Sequence, residues 1–444
     1  MAANYLPCEP QQMLLLPESL QEWLPEGHLA HFISDTIDGL DLGAFHARYD
    51  KDGPRNQPFH PAMMVKVLLY AYCIGVASSR KIEKHLCEDI AFRVLAANNT
   101  PDFRTISDFR KDHLRALAGL FLQVLKLCRK TGLVKLGHVA LDGTKIKANA
   151  SKHKAMSYKR MQEEEARLEA EVAELLTRAE SVDEDEDRRY GKGKRGDELP
   201  KELAFRESRL KKIQEAKAAL EAEEAEKSHG QDEAVAPRDK AQRNFTDPDS
   251  RIMPAPGGKH FIQAYNAQAA VDSANQVIVA AEVTNNPTDR GQSEPMMEAV
   301  KLNTGQFPSQ MSADAGYFSS NAVNNLTSLG IDVYMPPDRM GHRATLPPAP
   351  RGRIPQSLGV ADRMRRKLRT KKGRERYGLR KELPEPVFGQ IKQVRGFDQF
   401  LLRGSNKVSG EWKVICTGHN LLKLFRAYHQ GLFAQDVMTA NVPA

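Results

Sequence analysis

His138-Val139-Ala140-Leu141-Asp142-Gly143-Thr144-Lys145-Ile146-Lys147-Ala148 is the stretch whose reading decides the fold. Val139, Ala140 and Leu141 form an apolar run of strand length. Asp142 follows at once, and Gly143 marks a turn. Beyond it, Lys145, Ile146, Lys147 and Ala148 alternate polar and apolar, as a second half-buried strand does. A carboxylate at the mouth of a buried strand is held rigidly, which suits a metal ligand. Asp-Gly is equally an ordinary turn pair in which Asp142 only caps the bend. Within these eleven residues both readings stand.

The whole chain has 444 residues, room for roughly two to four domains. Its apolar fraction of 41% is ordinary for a soluble protein. The formal net charge is +8 and the isoelectric point about 9.1, with the cations clustered. That balance favours a polyanionic partner, most simply nucleic acid. Cys8, Cys73, Cys87, Cys128 and Cys416 are scattered and have no CxxC spacing, so neither a disulfide framework nor a zinc site is indicated. A reducing compartment fits this usage. The N-terminus lacks the basic-then-apolar pattern of a signal peptide. The longest apolar run, residues 63–77, is interrupted by Lys66 and is too short to span a bilayer. The expectation is a cytoplasmic protein that does not engage membranes.

Residues 1–52 are polar and Pro-containing, with helical spacing in Leu20, Trp23 and Leu24 and in Leu29, Phe32 and Ile33. After a loop at 52–58, the pattern predicts three helices. The first starts near Pro61, a good first-turn residue. The second starts after Ser78-Ser79, either of which can cap it. It carries Arg80, Lys81 and Lys84 on its polar side and Ile82, Leu86, Ile90 and Phe92 toward a core. The third starts near Thr105 and carries Phe109, Leu114, Leu117, Phe121, Val124 and Leu125. Compact helices with basic faces suit a helix-turn-helix-like reader of DNA. They equally suit a plain bundle with a solvated basic face.

After the Asp142 stretch the pattern changes. Residues 156–178 are charged and helical, with Met161, Leu168, Val172 and Leu175 at heptad-like spacing. An acidic run, Asp183-Glu184-Asp185-Glu186-Asp187, reads as a loop. A second charged helix carries Leu203, Leu210, Ile213, Ala216 and Leu220. Two such helices joined by a polar loop predict an antiparallel coiled-coil hairpin inserted into a domain that resumes after it. The resumed domain reads as strands at 261–271 and 276–283 forming a hairpin, a helix at 294–302, a short strand ending in Asp314, a helix at 321–329 and a strand at 331–335. Residues 351–381 are strongly basic and read as a flexible phosphate-binding arm or a solvated surface. Residues 400–403 and 412–416 read as strands, followed by a helix at 420–428.

Three carboxylates stand out: Asp142 and Asp314, each after a strand, and Glu385. Converging carboxylates can hold two Mg²⁺ ions roughly 3.5–4 Å apart, and hard oxygen ligands are the right kind for Mg²⁺. The words around them are more specific than the triad. Asp314-Ala315-Gly316-Tyr317, and Tyr377 followed by Arg380, Glu385 and Lys392, resemble the signature of DDE insertion-sequence transposases. Thr246-Asp247-Pro248-Asp249-Ser250-Arg251, Tyr265-Asn266-Ala267-Gln268 and Glu385-Pro386-Val387-Phe388-Gly389-Gln390-Ile391-Lys392 resemble the bacterial branch with a helical insertion in its catalytic domain. Phe59-His60-Pro61 and Pro101-Asp102-Phe103-Arg104-Thr105-Ile106-Ser107-Asp108-Phe109-Arg110 are similar to that branch's DNA-binding domain. The resemblance covers residues 16–425.

What the resemblance implies is an α/β protein: an RNase H-like mixed sheet, an inserted α-helical coiled-coil hairpin and an N-terminal α-helical DNA-binding domain. The expected domains are 1–132 for DNA binding, 133–155 with 228–444 for catalysis, and 156–227 for the hairpin. It implies Asp142, Asp314 and Glu385 as catalytic metal ligands for two Mg²⁺ ions, with Mn²⁺ as a substitute. It implies DNA contacts from Tyr377, Arg380, Lys392, Arg80, Lys81, Lys84, Arg104 and Arg110. The partners would be double-stranded DNA, as terminal inverted repeats and target, with a homodimer on DNA in the bacterial nucleoid. The activity would be cleavage at element ends and joining of the 3′-hydroxyls to a target. The alternative is an inactive, transposase-derived, sequence-specific DNA-binding protein. Two features depart from the best-known signature. The spacing from Arg380 to Glu385 is one residue longer, and Pro384 and Pro386 preclude a straight helix from Tyr377 to Lys392. Asp289 reads as a loop or cap residue, Asp272 as part of a hairpin turn, and His138 and Trp412 as structural.

Overall fold

The computed structural model describes residues 19–49, 57–190, 201–227, 237–255, 258, 260–339, 347, 351–355 and 357–434, without the side chains of 178–190, 201–203 and 227. The chain divides into two compact units, Met1–Lys135 with Val414–Ala444, and Leu136–Lys413. One division falls between Lys135 and Leu136, and residues from Val414 onward group with the N-terminal helices rather than with the sheet. No helix among the described residues is long and apolar enough to cross a membrane.

The first unit is helical: α1 (Leu29–Asp38), α2 (Gly43–His46), α3 (Pro61–Cys73), α4 (Ser79–Glu88), α5 (Ile90–Leu95), α6 (Phe103–Asp112) and α7 (Leu114–Lys130). Local chemistry sets the starts. Pro61 opens α3 and Ser78 precedes α4. Asp102 caps α6, accepting from the Thr105 amide at 2.7 Å. The second expected helix divides at Asp89, whose carboxylate caps α5 by accepting from the Ala91 amide at 2.8 Å. The third divides at His113. Ile33, Leu68, Phe92, Leu120 and Val124 lie in the core.

The basic side chains of this unit separate into two kinds. Arg80, Lys81, Lys84 and Arg104 are exposed. The Phe103 ring carries two of them, with the Arg80 guanidinium 5.0 Å and the Arg104 guanidinium 5.8 Å from its centroid. Arg110, expected on the DNA face, is instead buried. Its guanidinium donates to the Ala77 carbonyl at 2.7 Å, Ser79 Oγ at 3.1 Å and Tyr72 Oη at 3.4 Å. A cation so enclosed ties α6 to the α3–α4 connection and is not available to a phosphate.

The second unit is built on a mixed sheet. β1 (Val139–Lys147) pairs antiparallel with β5 (Phe261–Asp272) along its whole length; β2 (Ala155–Ser157) and β3 (Gln242–Asn244) form a separate two-stranded ribbon. On its other edge β5 takes β4 (Arg251–Pro254) and then β6 (Ile278–Thr284), both antiparallel. β7 (Gln310–Ser312) lies parallel to β1, and β8 (Asp332–Tyr334) parallel to β7. The turn expected at Asp142-Gly143 is absent: β1 runs straight through it. Nine consecutive pairs with β5 outweigh the local turn preference of the dipeptide. Gly143 serves a close approach instead.

α8 (Tyr158–Tyr190) and α9 (Lys201–Lys227) pack through Met161, Leu168, Ile213, Ala216 and Leu220. Cross-helix pairs Arg206–Glu171, Arg209–Glu164 and Lys217–Glu165 give the pair an antiparallel sense. The acidic run at 183–187, expected as a loop, continues the helical backbone of α8. Glu223 of α9 receives Arg243 of β3, and one Arg251 guanidinium nitrogen from β4 donates to both its carboxylate oxygens, which fastens the helix pair to the strands.

α10 (Ser293–Thr304) and α11 (Ser320–Ser328) follow their expected positions. The basic tract forms α12 (Val360–Arg369) and α13 (Lys371–Glu382) over much of its length, not a loose arm. Met364 and Leu368 are buried, and Lys367 donates to Asp332 and to the Val333 carbonyl of β8. α14 (Pro384–Gly389) and a π turn (Gln390–Val394) come next. The helix breaks at Leu383, as the flanking prolines require.

The expected strands are also corrected: residues 400–403 take bends without a strand, and 412–416 lie within one helix, α15 (Ser405–His429). Val408, Trp412, Ile415 and Cys416, and then Leu424 and Ala427, are buried at helical spacing. That period extends over several turns and outweighs a five-residue apolar run. The Trp412 indole donates to the Gln268 carbonyl at 3.0 Å, locking this helix to β5.

Candidate active site

The site lies on β1 where its edge opens. β7 pairs only with Val139 and Ala140, and the next edge partner of β1 is Gln399 at Lys147. Between them Asp142 stands beside an unpaired edge. Strand alternation sends Asp142 to one face of the sheet, and Gly143 and Lys145 to the other.

On the first face α13 and α14 supply the signature residues. The Arg380 guanidinium is 3.5 Å from Asp142 Oδ2 and 3.8 Å from Glu385 Oε1, so one cation touches both carboxylates. Tyr377, one turn earlier on α13, holds its ring centroid 5.9 Å from the same guanidinium. Lys392, on the π turn, donates to Thr144 Oγ1 at 3.1 Å and to the Lys145 carbonyl at 3.0 Å. It is thus clamped to β1 just past Asp142. The broken helix brings Arg380 and Glu385 together despite their longer spacing, because the kink at Leu383 turns α14 back toward α13's guanidinium.

Asp314 follows β7 directly and caps the turn Ala315–Tyr317, accepting from the Gly316 amide at 2.7 Å. Its charge reaches Asp142. Burial pushes the Asp142 carboxyl up to about 7; Arg380 opposes that, while Asp314 and Asp289 add to it. The Tyr317 hydroxyl is driven far above its usual range by burial and then by the same three aspartates.

On the second face stands a group of residues that the sequence reading passed over or placed in a loop. Asp289 Oδ1 accepts from Asn266 Nδ2 at 2.6 Å and Gln268 Nε2 at 2.9 Å, with Lys145 Nζ at 3.5 Å. Burial pulls the Lys145 ammonium below its usual range, and Asp289 chiefly holds it up. Gly143 makes room for this group. A Cβ there would press on Gln268 Nε2 and lie 2.8 Å from both Asn266 Oδ1 and Asp289 Oδ1. The sequence did carry a signal: Asn266 and Gln268 are polar residues two apart in an apolar, alanine-rich strand, within the motif Tyr265-Asn266-Ala267-Gln268, and both are fully buried. Such residues are kept where they have specific partners.

All of Asp142, Asp314, Glu385, Tyr377, Arg380 and Lys392 therefore come from one unit and surround the open edge of β1. Arg80, Lys81, Lys84, Arg104 and Arg110 belong to the other unit. Among the described residues no three His, Cys, Asp or Glu side chains stand close enough to hold a metal ion as placed. The donor chemistry fits a divalent ion nonetheless: hard carboxylate oxygens, with a guanidinium set between Asp142 and Glu385 and the Asp142 carboxyl raised by burial and by the charge of Asp314.

Two family models match the chain. Residues 18–112 match a transposase domain (DUF772), and residues 353–425 match a transposase DDE domain. Both matches support an insertion-sequence DDE transposase. No curated protein and no solved structure matches it. The first match covers most of the helical unit's N-terminal part, with Arg80 and Phe103; the second contains Tyr377, Arg380, Glu385 and Lys392. Asp142 and Asp314 precede the second match; Asp142 is connected to it by its 3.5 Å contact with Arg380, and Asp314 by the effect of its charge on the Asp142 carboxyl. The DDE domain implies an RNase H-like core, and the mixed sheet with helices packed beside it is of that general kind. Transposases act on DNA, and the basic balance of the chain is consistent with such a partner.

Proposed function

We propose that this transposase hydrolyses a phosphodiester at each end of its element and joins the freed 3′-hydroxyls to target DNA, using Asp142, Asp314 and Glu385. The observation that carries the reading is the meeting of Asp142 and Glu385 on one Arg380 guanidinium, with Asp314 close enough to raise the Asp142 carboxyl.

The three carboxylates are the groups to hold divalent cations, Mg²⁺ or Mn²⁺, whose bound charge would acidify the attacking hydroxyl and offset charge on the leaving oxygen. The protein's own residues do the positioning. Asp142 is fixed by a strand paired on its β5 side, and Asp314 by the turn it caps. Lys392 is held beside Thr144, where an ammonium can meet a phosphate of the bound strand. Tyr377 and Arg380 form a stacked pair that can hold a flanking nucleotide. Water attacks phosphorus, the phosphorus–O3′ bond breaks, and a 3′-hydroxyl and a 5′-phosphate result. The 3′-hydroxyl then attacks a target phosphodiester, exchanging one ester bond for another. No protein nucleophile is required, and catalysis rests on orientation and electrostatics.

In this reading the exposed face of Arg80, Lys81, Lys84 and Arg104 binds the duplex. Phe103 pre-orders two of its guanidinium groups. α8 and α9 are the inserted coiled-coil hairpin, and the active species on DNA is a homodimer that pairs the two element ends.

The test is strand cleavage of DNA carrying the element's ends, with Mg²⁺, by the parent chain and by Asp142→Asn and Glu385→Gln. Loss in both variants with DNA binding retained supports the assignment. Sequence-specific binding by the parent without any metal-dependent cleavage would establish the inactive, DNA-binding alternative.

A further inference from the structure

We propose that Asp289 is a positioning residue of the active site, tying the strand of Asp142 to the turn of Asp314 through Lys145 on one side and through Gln268 and Tyr317 on the other. This rests on the DDE reading above and extends it to a carboxylate outside the triad.

A single carboxylate oxygen is the hub of these contacts. Asp289 Oδ1 gathers Asn266 Nδ2, Gln268 Nε2 and the Lys145 ammonium at 2.6, 2.9 and 3.5 Å. Lys145 belongs to β1, three residues past Asp142, so this contact holds the catalytic strand. An ionised carboxylate only accepts hydrogen bonds. It therefore fixes which way the Gln268 amide sits: Nε2 toward Asp289, Oε1 away. That oxygen accepts from the Tyr317 hydroxyl. Tyr317 closes the turn whose cap is Asp314. The chain of bonds thus runs from Asp289 to the backbone that aims the second catalytic aspartate.

The second oxygen completes the picture. Asp289 Oδ2 lies 3.5 Å, and Asp314 Oδ1 2.9 Å, from where a Cβ on Gly316 would stand. Gly143 leaves the space that lets Asp289 sit this close to β1, and Asp289 lies at ordinary contact distance from the Gly316 position. Asn266 and Gln268 are completely buried, and Asn266 Oδ1 has no partner. A buried amide retained with one end unsatisfied is there for the bond its other end makes. Asp289 is itself only partly enclosed and is not paired to Arg380, Tyr377 or Lys392, so its part is separate from theirs.

Groups that orient a ligating carboxylate typically govern metal affinity by about 10–100-fold. The experiment titrates MnCl₂ onto the full chain, without DNA, by calorimetry, for the parent, Asp289→Asn, Tyr317→Phe and Asp142→Asn. The Mg²⁺ concentration for half-maximal strand cleavage and the DNA affinity are measured alongside. The expected result is about tenfold weaker Mn²⁺ binding and a matching rise in the Mg²⁺ requirement for Asp289→Asn, a smaller change in the same direction for Tyr317→Phe, and DNA affinity within about twofold of the parent. Mn²⁺ affinity and Mg²⁺ requirement within about twofold of the parent in both variants, while Asp142→Asn loses metal binding, overturn this proposal alone. Unchanged metal binding in Asp142→Asn overturns the DDE reading with it. If Asp289→Asn lowers the melting temperature sharply, Tyr317→Phe, which deletes one hydroxyl, decides the matter by the same criteria.

Discussion

The cations of the helical unit and those of the sheet unit are the same residue types used under opposite physical conditions. Arg80, Lys81, Lys84 and Arg104 stand in solvent, two of them resting on one phenyl ring. Arg380, Lys145 and Lys392 are largely enclosed, each within reach of a carboxylate, hydroxyl or carbonyl. Exposed cations keep their hydration and act on DNA through counterion release, in small and nearly additive steps that salt weakens. Enclosed cations have lost their water and are worth something only in one geometry. Their loss is felt steeply, together, and by the chemistry more than by binding. Arg110 shows that chain position alone does not tell the two kinds apart. It lies six residues beyond Arg104 and is buried.

The comparison breaks most visibly at the strand. Asp142→Asn is expected to lower Mg²⁺-dependent cleavage by about 10²–10³-fold or more with DNA affinity nearly unchanged; a loss of DNA affinity instead would place Asp142 outside the chemistry. Gly143→Ala comes next. Its methyl would collide with Gln268, Asn266 and Asp289, costing about 1–3 kcal/mol of stability and roughly tenfold or more in cleavage. Thermal unfolding and a cleavage assay read both.

His138 gives a pH-dependent measure of the enclosed side. Burial lowers its imidazole from 6.5 to about 4, and its Nε2 is 2.9 Å from Ser312 Oγ of β7. Below about 6.5 the unfolded chain takes up a proton that the folded chain refuses until about 4. Stability is therefore complete above 6.5 and is lost as pH falls toward 4, by at most ~3 kcal/mol. His138→Gln should flatten that acid limb in a series of melts; an unchanged limb would assign it to other groups.

Within the helical unit the contrast is sharpest between two arginines. Arg110→Ala should cost ~1–3 kcal/mol, because the Ala77 carbonyl and Ser79 hydroxyl lose a buried donor. Arg80→Gln should leave stability within about 0.5 kcal/mol. It should weaken DNA binding a few-fold, uniformly across sequences, and lower the salt slope by about one. Equal effects of the two on melting temperature would erase the distinction drawn here.

Much of the architecture was legible locally. Pro61 and Ser78 mark helix starts through the local preferences of these residue types, whereas the cap at Asp102 lies three residues before the start expected near Thr105. The hairpin of β5 and β6 follows from two apolar runs around a polar turn. The words around Asp314, Tyr377, Arg380, Glu385 and Lys392 carried the family. What the residues could not disclose depended on partners far along the chain. Asp142-Gly143 is a turn by local preference and a straight strand in the protein, because β5 arrives to pair with every residue around it. Residues 405–429 became a helix through a period longer than the window that suggested strands.

The candidate site divides in the same way. The chemical identity of its acids and bases was fixed by the order of residues: three carboxylates, a tyrosine, an arginine and a lysine in family-specific words. The meeting of Asp142 and Glu385 on one Arg380 guanidinium and the presence of Asp289 were decided by tertiary structure. Side-chain type belongs to the residue and is written once. Distance and dielectric belong to the neighbours, and those are chosen only when the sheet closes around β1.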